Sequence, residues 1–179
     1  MEAITSKIVM CGDFAVGKTT FVKLFLGGEI IGGYKPTIGV DIGRKNFNIN
    51  QRRIVFQIWD LSGQQSFQSI RRQFYSRTNG AILIFDVSRR ETYQNIQNWT
   101  DELIDQTGKL PMVLVGNKID LRDQTSEAVT TEEGKLLSEV ISNKIGIQIP
   151  FVEASAINQQ NNLEPFILLG KTILEQFDT

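Results

Sequence analysis

Short apolar runs alternating with longer amphipathic stretches constrain this chain more than any other feature it has. Ile8–Cys11, Val55–Trp59, Ala81–Phe85, Met112–Val115 and Ile149–Val152 are continuous apolar segments, each followed by polar or Gly-containing loop residues. Such runs suit strands buried under helices on both faces of a parallel sheet. Three- and four-residue spacings mark helices after Lys18, over Thr92–Ile104, over Glu132–Ile145, and in a C-terminal segment carrying Leu163, Phe166, Ile167, Gly170, Ile173, Leu174 and Phe177. This is the pattern of βα units. One stretch departs from it: between Val40 and Trp59 no helix-length segment intervenes, and Ile42, Phe47, Ile49, Ile54, Phe56 and Ile58 flank a polar Asn50–Gln51 turn. That reads as an antiparallel hairpin. With 179 residues, one domain's worth, the expectation is a single α/β domain over 1–179. Its sheet should have six strands, mostly parallel with one antiparallel, and helices on both faces.

Composition then removes chemistries. The chain has no histidine, which excludes an imidazole base, a Ser-His-Asp triad and any zinc site built on His. Nineteen Lys plus Arg against 20 Asp plus Glu give a net charge of −1, with no general attraction to nucleic acid, so none is expected as a main partner. The single cysteine, Cys11, follows Ile8, Val9 and Met10 and reads as a buried strand thiol in a reducing, cytoplasmic setting. No apolar run approaches the 18 residues of a membrane span.

Gly12-Asp13-Phe14-Ala15-Val16-Gly17-Lys18-Thr19 matches G-x-x-x-x-G-K-[ST] between an apolar strand and a helical pattern. The glycines let backbone N–H groups wrap a phosphate, and the helix N-terminus adds partial positive charge. Lys18 would reach β- and γ-phosphates, Thr19 would offer its hydroxyl to Mg²⁺, and Thr20 its N–H to the α-phosphate. Such a loop alone permits ATPases, kinases and GTPases. Asn117-Lys118-Ile119-Asp120 follows the Met112–Val115 strand, and a carboxylate there could accept from guanine N1–H and the 2-amino group, donors that adenine lacks. A buried carboxylate without them would be left unpaired, a strong ground for discrimination.

With these motifs in place the chain resembles a Ras-superfamily small GTPase, most similar to the Rab branch, over residues 5 to 178. The resemblance rests on Gly12–Thr19, on Thr37 in Pro36-Thr37-Ile38-Gly39, on Asp60-Leu61-Ser62-Gly63-Gln64, on Asn117–Asp120 and on Glu153-Ala154-Ser155-Ala156. It implies a P-loop small G-protein fold with Mg²⁺ as cofactor. It further implies that Thr37 contacts the metal and the γ-phosphate, Asp60 holds the metal through water, and Gly63 donates its N–H to the γ-phosphate. Tyr34 would close over the nucleotide, Lys118 would lie along the base plane, and Ser155 and Ala156 would brace the guanine. Gln64 would orient the attacking water as the catalytic residue; its plainer alternative is a solvated loop glutamine among Gln65 and Gln68. An exchange factor, an activating protein and effectors are the implied partners, reading Thr37–Gly43 and Gln64–Arg77. Ile42, Trp59 and Phe74 stand at the positions of an aromatic triad of that surface, Ile42 as a departure, or are ordinary packing, and Arg71, Arg72 and Arg77 read as a solvated face.

Several positions depart from the family pattern. Phe14 stands where a small residue is usual, on the side an arginine finger enters, unless it points to solvent or to a partner. Slow GTP hydrolysis is therefore expected, with a GTP-binding module of negligible turnover as the alternative. Ile30 replaces a phenylalanine that usually stacks on guanine, and Ala154 and Ile157 replace the usual Thr and Lys. The chain ends Glu175–Thr179 with no cysteine to prenylate, so no membrane anchor is expected on it.

Overall fold

The computed structural model describes residues 4–28 and 37–177. Six strands, β1 (Ile4–Cys11), β2 (Val40–Ile49), β3 (Arg52–Leu61), β4 (Gly80–Asp86), β5 (Met112–Asn117) and β6 (Phe151–Glu153), form one sheet in the order β2-β3-β1-β4-β5-β6. β2 runs antiparallel to β3, and the other pairs are parallel. Asn50 (φ 48°) and Gln51 (φ 65°) join β2 to β3, the two left-handed residues that match a tight turn to the strands' twist.

Alternation along each strand divides the interior into two cores. Ile8 and Met10, Ile82 and Ile84, Val113 and Val115 face one way, against Phe21 and Phe25 of α1 (Lys18–Leu26) and Phe166, Leu169 and Ile173 of α6 (Glu164–Gln176). Phe25 and Phe166 stack at 3.9 Å between centroids. Val9 and Cys11, Ala81, Leu83 and Phe85, Met112 and Leu114 face the other way. They meet Ile96, Trp99 and Leu103 of α4 (Ile96–Thr107) and Leu137, Ile141 and Ile145 of α5 (Thr131–Ile145). Two short helices, α2 (Gln68–Arg72) and α3 (Arg90–Gln94), complete that layer.

Two sequence expectations are corrected. The strand expected over Ile149–Val152 is Phe151–Glu153. Ile149 is buried, but its N–H donates to Ser142 Oγ at 2.9 Å and its carbonyl accepts from Ser138 Oγ, while Pro150 has no N–H to pair. The single helix expected over Thr92–Ile104 is two, α3 and α4, meeting at Asn95. Asn95's side chain is turned to Asp13, 2.8 Å away.

Candidate functional site

The loop between β1 and α1 owes its shape to two glycines. A Cβ on Gly12 (φ +145°) would lie 2.1 Å from the Ile84 carbonyl oxygen, and one on Gly17 (φ +108°) 2.3 Å from Asn117 Nδ2. No side chain larger than hydrogen fits either place, and both backbones lie in the left-handed region. Gly17 is also the N-cap of α1 and gives no side-chain cap, so the helix's first N–H groups are open to an anion.

Every carbonyl from Gly12 to Val16 accepts a side-chain N–H. Lys18 Nζ donates to Gly12 at 2.7 Å and Asp13 at 2.8 Å, Arg89 Nη2 to Phe14 at 2.7 Å, Lys118 Nζ to Ala15 at 2.7 Å, and Asn117 Nδ2 to Val16 at 2.8 Å. With the carbonyls' negative ends matched by donors, the loop's N–H groups and the helix terminus set its local potential, which favours an anion. Lys18 is 6% exposed, and burial pushes its pKa down to about 8 against the opposing pull of Asp60. Burial alone would raise Asp86, yet its bonds to Lys118 and Ser88 hold it below the usual range. Its carboxylate holds Lys118 at 2.7 Å and Arg89 at 3.2 Å. Thr20 follows on α1.

Three oxygen-bearing side chains converge beside Lys18. Thr19 Oγ1 lies 2.8 Å from Thr37 Oγ1 and donates to Asp60 Oδ2, which Thr37 Oγ1 also approaches at 3.4 Å. Asp60, at the end of β3, is 1% exposed, and its buried Oδ1 has no hydrogen-bond partner among the described residues. Burial raises its pKa. Among the described residues no three or more Asp, Glu or Cys side chains cluster as ligands. A hard divalent cation with retained waters fits two hydroxyls and one orphaned carboxylate oxygen. Gly63 packs onto the loop: a Cβ there would be 2.5 Å from the Asp13 carbonyl carbon and 2.6 Å from Lys18 Nζ. Gln64 follows, half-buried, its carbonyl taken by Arg71 at 2.9 Å.

Asn117, Asp120, Ser155 and Ala156 come together at the ends of β5 and β6. Ser155 Oγ donates to Asp120 Oδ1 at 2.5 Å, and Ala156 N–H to Asn117 Oδ1 at 3.2 Å. Asp120 is exposed rather than buried, so its free energy of desolvation belongs to binding and not to folding. Tyr34 and Ile30 lie outside the described residues.

Arg71 corrects the solvated-face expectation: it is 5% exposed, while Arg72 and Arg77 are exposed. Arg89 and Asp86 were missed as supports of the loop. The one signal was an Asp closing the apolar run Ala81–Phe85 at the strand end facing the glycine loop.

Strand order, loop and paired motifs define the P-loop fold of the small-GTPase type. Residues 7–175 match the Ras family model, and the chain belongs to the Ras family of GTP-binding small GTPases. It is 34% identical over 171 residues to a Ras and EF-hand domain-containing protein homolog of Caenorhabditis briggsae, covering 95% of this chain and 26% of that protein. A Ras and EF-hand domain-containing protein homolog of Caenorhabditis elegans is 33% identical over 171 residues, with the same shares. The chain thus spans about a quarter of the length of these relatives.

Proposed function

We propose that this chain is a guanine-nucleotide-dependent switch that binds GTP and GDP with Mg²⁺ and hydrolyses GTP slowly. Asn117 carries the reading, because one side chain joins the two halves of the site: its Nδ2 grips the phosphate loop and its Oδ1 the Ala156 loop beside Asp120. Lys18 supplies charge to the phosphates, Thr19, Thr37 and Asp60 hold the cation, and Gly63 offers its N–H to the terminal phosphate. The bound cation offsets phosphate charge. Gln64 orients water, a task of placement that needs no histidine. Loss of the terminal phosphate releases the Thr37 and Gly63 segments, and exchange factors, activators and effectors read that change.

A Rab-like partner surface is the finer reading. Ile42 pairs with Trp59 across β2 and β3, Trp59 and Phe74 lie 5.7 Å apart, and Ile42 is exposed. A cytoplasmic location goes with the buried lone thiol. The second reading, binding with negligible turnover, is favoured by Phe14, which is 39% exposed and lines the same cleft as Gly63 and Gln64.

The test is the nucleotide released on denaturing the purified chain, for which guanine nucleotide is expected and adenine nucleotide overturns the reading. Asp120→Asn should shift preference from guanine to xanthine, whose 2-oxo group accepts where guanine's amine donates. Competition binding with both bases measures it, and unchanged preference removes Asp120 from base recognition.

A further inference from the structure

Helix α2 is tied to α4 by a buried polar cluster that the proposed nucleotide contacts do not use. Arg71 and Glu102 are each 5% exposed. Arg71 Nε and Nη2 donate to the two Glu102 carboxylate oxygens at 2.9 and 3.1 Å. Glu102 also accepts from Tyr75 Oη and from Gln68 Nε2, each at 2.8 Å. The guanidinium carbon of Arg71 lies 4.1 Å from the centroid of the Trp99 ring. Trp99 in turn donates its indole N–H to Asp13 Oδ1 at 2.7 Å, and Asn95 donates to Asp13 Oδ2 at 2.8 Å. Trp99 of α4, with Asn95 just before the helix, therefore holds the phosphate loop, while the same Trp99 and Glu102 hold α2.

A buried ion pair is weak evidence for stability, since apolar residues of similar volume often serve as well. What an apolar pair could not do is the third task of this guanidinium: Nη1 donates to the Gln64 carbonyl at 2.9 Å. Gln64 itself sits just before the turn at Gln65–Phe67, with extended backbone (φ −71°, ψ 136°). Holding its carbonyl fixes the peptide plane from which its side chain departs. We propose that Arg71 is a positioning residue for GTP hydrolysis: clamped by Glu102 and Trp99, it sets the backbone of Gln64 and with it the place where that side chain orients water. The inference rests on the hydrolysis reading above. Three separate nitrogens of one planar fork reach both Glu102 oxygens and the Gln64 carbonyl, a spread that the single ammonium of lysine does not reproduce.

The test uses the full chain loaded with GTP and Mg²⁺. Single-turnover hydrolysis, GDP affinity and thermal midpoint are measured for wild type, Arg71→Lys, Glu102→Gln, Gln64→Leu and the two double variants with Gln64→Leu. Arg71→Lys and Glu102→Gln are expected to slow hydrolysis roughly ten- to a hundred-fold, the scale of a small misplacement of a reacting group, with GDP affinity unchanged. Added to Gln64→Leu, either should have no further effect, because the clamp acts only through that residue. Unchanged rates in both single variants, or effects that multiply in the double variants, overturn the inference. If Arg71→Lys does not fold, the isosteric Glu102→Gln and its double variant carry the comparison. A wild type that holds GTP without turning it over overturns the inference alone; one that binds no guanine nucleotide overturns the proposed function with it.

Discussion

Phe14 is the residue that the proposed slow hydrolysis singles out. Its carbonyl is held by Arg89 at 2.7 Å, so the loop backbone there is braced, and the residue lines a cleft of about 470 Å³ together with Gly63, Gln64 and Arg89. An arginine finger contributes roughly 10³ to 10⁵ in rate to Ras-type hydrolysis, and only if it reaches the terminal phosphate. Replacing the ring by hydrogen opens that approach. Phe14→Gly is expected to respond to an arginine-finger activator far more strongly than wild type in single-turnover assays, with GDP affinity retained. Equal stimulation of the two chains would free Phe14 from this role. At this scale, what sequence disclosed was whatever lies within a few consecutive positions: Gly12 to Thr19, or Asn117 to Asp120. The pairings Arg71–Glu102 and Arg89–Phe14 join residues 31 and 75 positions apart, so no local spacing announces them. Arg71 beside Arg72 looks like a polar face until Glu102 is brought alongside.

Elements were legible where one physical demand acted alone. β4, β5 and the Ile8–Cys11 half of β1 are buried on both faces, and their unbroken apolarity reads as strand. Some element ends were not legible, because there side-chain hydrogen bonds compete with the ladder and the helix: Ser138 and Ser142 take the backbone of Ile149 out of β6 at its end away from the site, and the break at Asn95, beside the site, leaves its amide on Asp13. Helix α5 shows the same competition settled in the helix's favour. Thr130 Oγ1 accepts from Glu133 N–H at 3.2 Å, and Glu133 Oε2 accepts from Thr130 N–H at 2.8 Å, a reciprocal cap. Arg90 adds a bond to Glu133 at 2.7 Å, and that bond, followed by the Thr130 N–H, holds the Glu133 carboxyl down to about 2, from 4.5. A depressed carboxylate stabilises fully above its unfolded value and loses that contribution as pH falls toward its folded one. Glu133→Gln should therefore lower the thermal midpoint at pH 7, and the deficit should shrink from about pH 4.5 toward pH 2. A deficit of the same size at pH 7 and pH 3 would show that the charge of Glu133 is not what the cap uses.

Seen whole, the molecule has two apolar cores on opposite faces of one sheet, and the candidate site lies along the strand ends that both cores support. The loop after β1 starts α1 on one face, while its carbonyls are held by Arg89 after β4, Asn117 at the end of β5 and Lys118 just beyond it. Asp60 comes from β3, and Asp120 with Ser155 from the far edge. Open helix N–H groups and a buried Asp60 oxygen are left in want of partners at these ends, and Lys18 is held there by neutral carbonyls. A ligand that supplies them binds the folded chain and not the unfolded one, so its binding energy adds to stability. At a thousand times its dissociation constant the gain is about 4.1 kcal/mol, and for a domain of this size each kcal/mol moves the midpoint by roughly 2–4 °C. Chelating divalent cations and removing nucleotide should thus lower the thermal midpoint by roughly 10 °C. GDP with Mg²⁺ should restore it, and ATP with Mg²⁺ at equal concentration should not. Differential scanning calorimetry of the loaded, stripped and reloaded chain checks this, and recovery with ATP as complete as with GDP would refute the role assigned to Asp120.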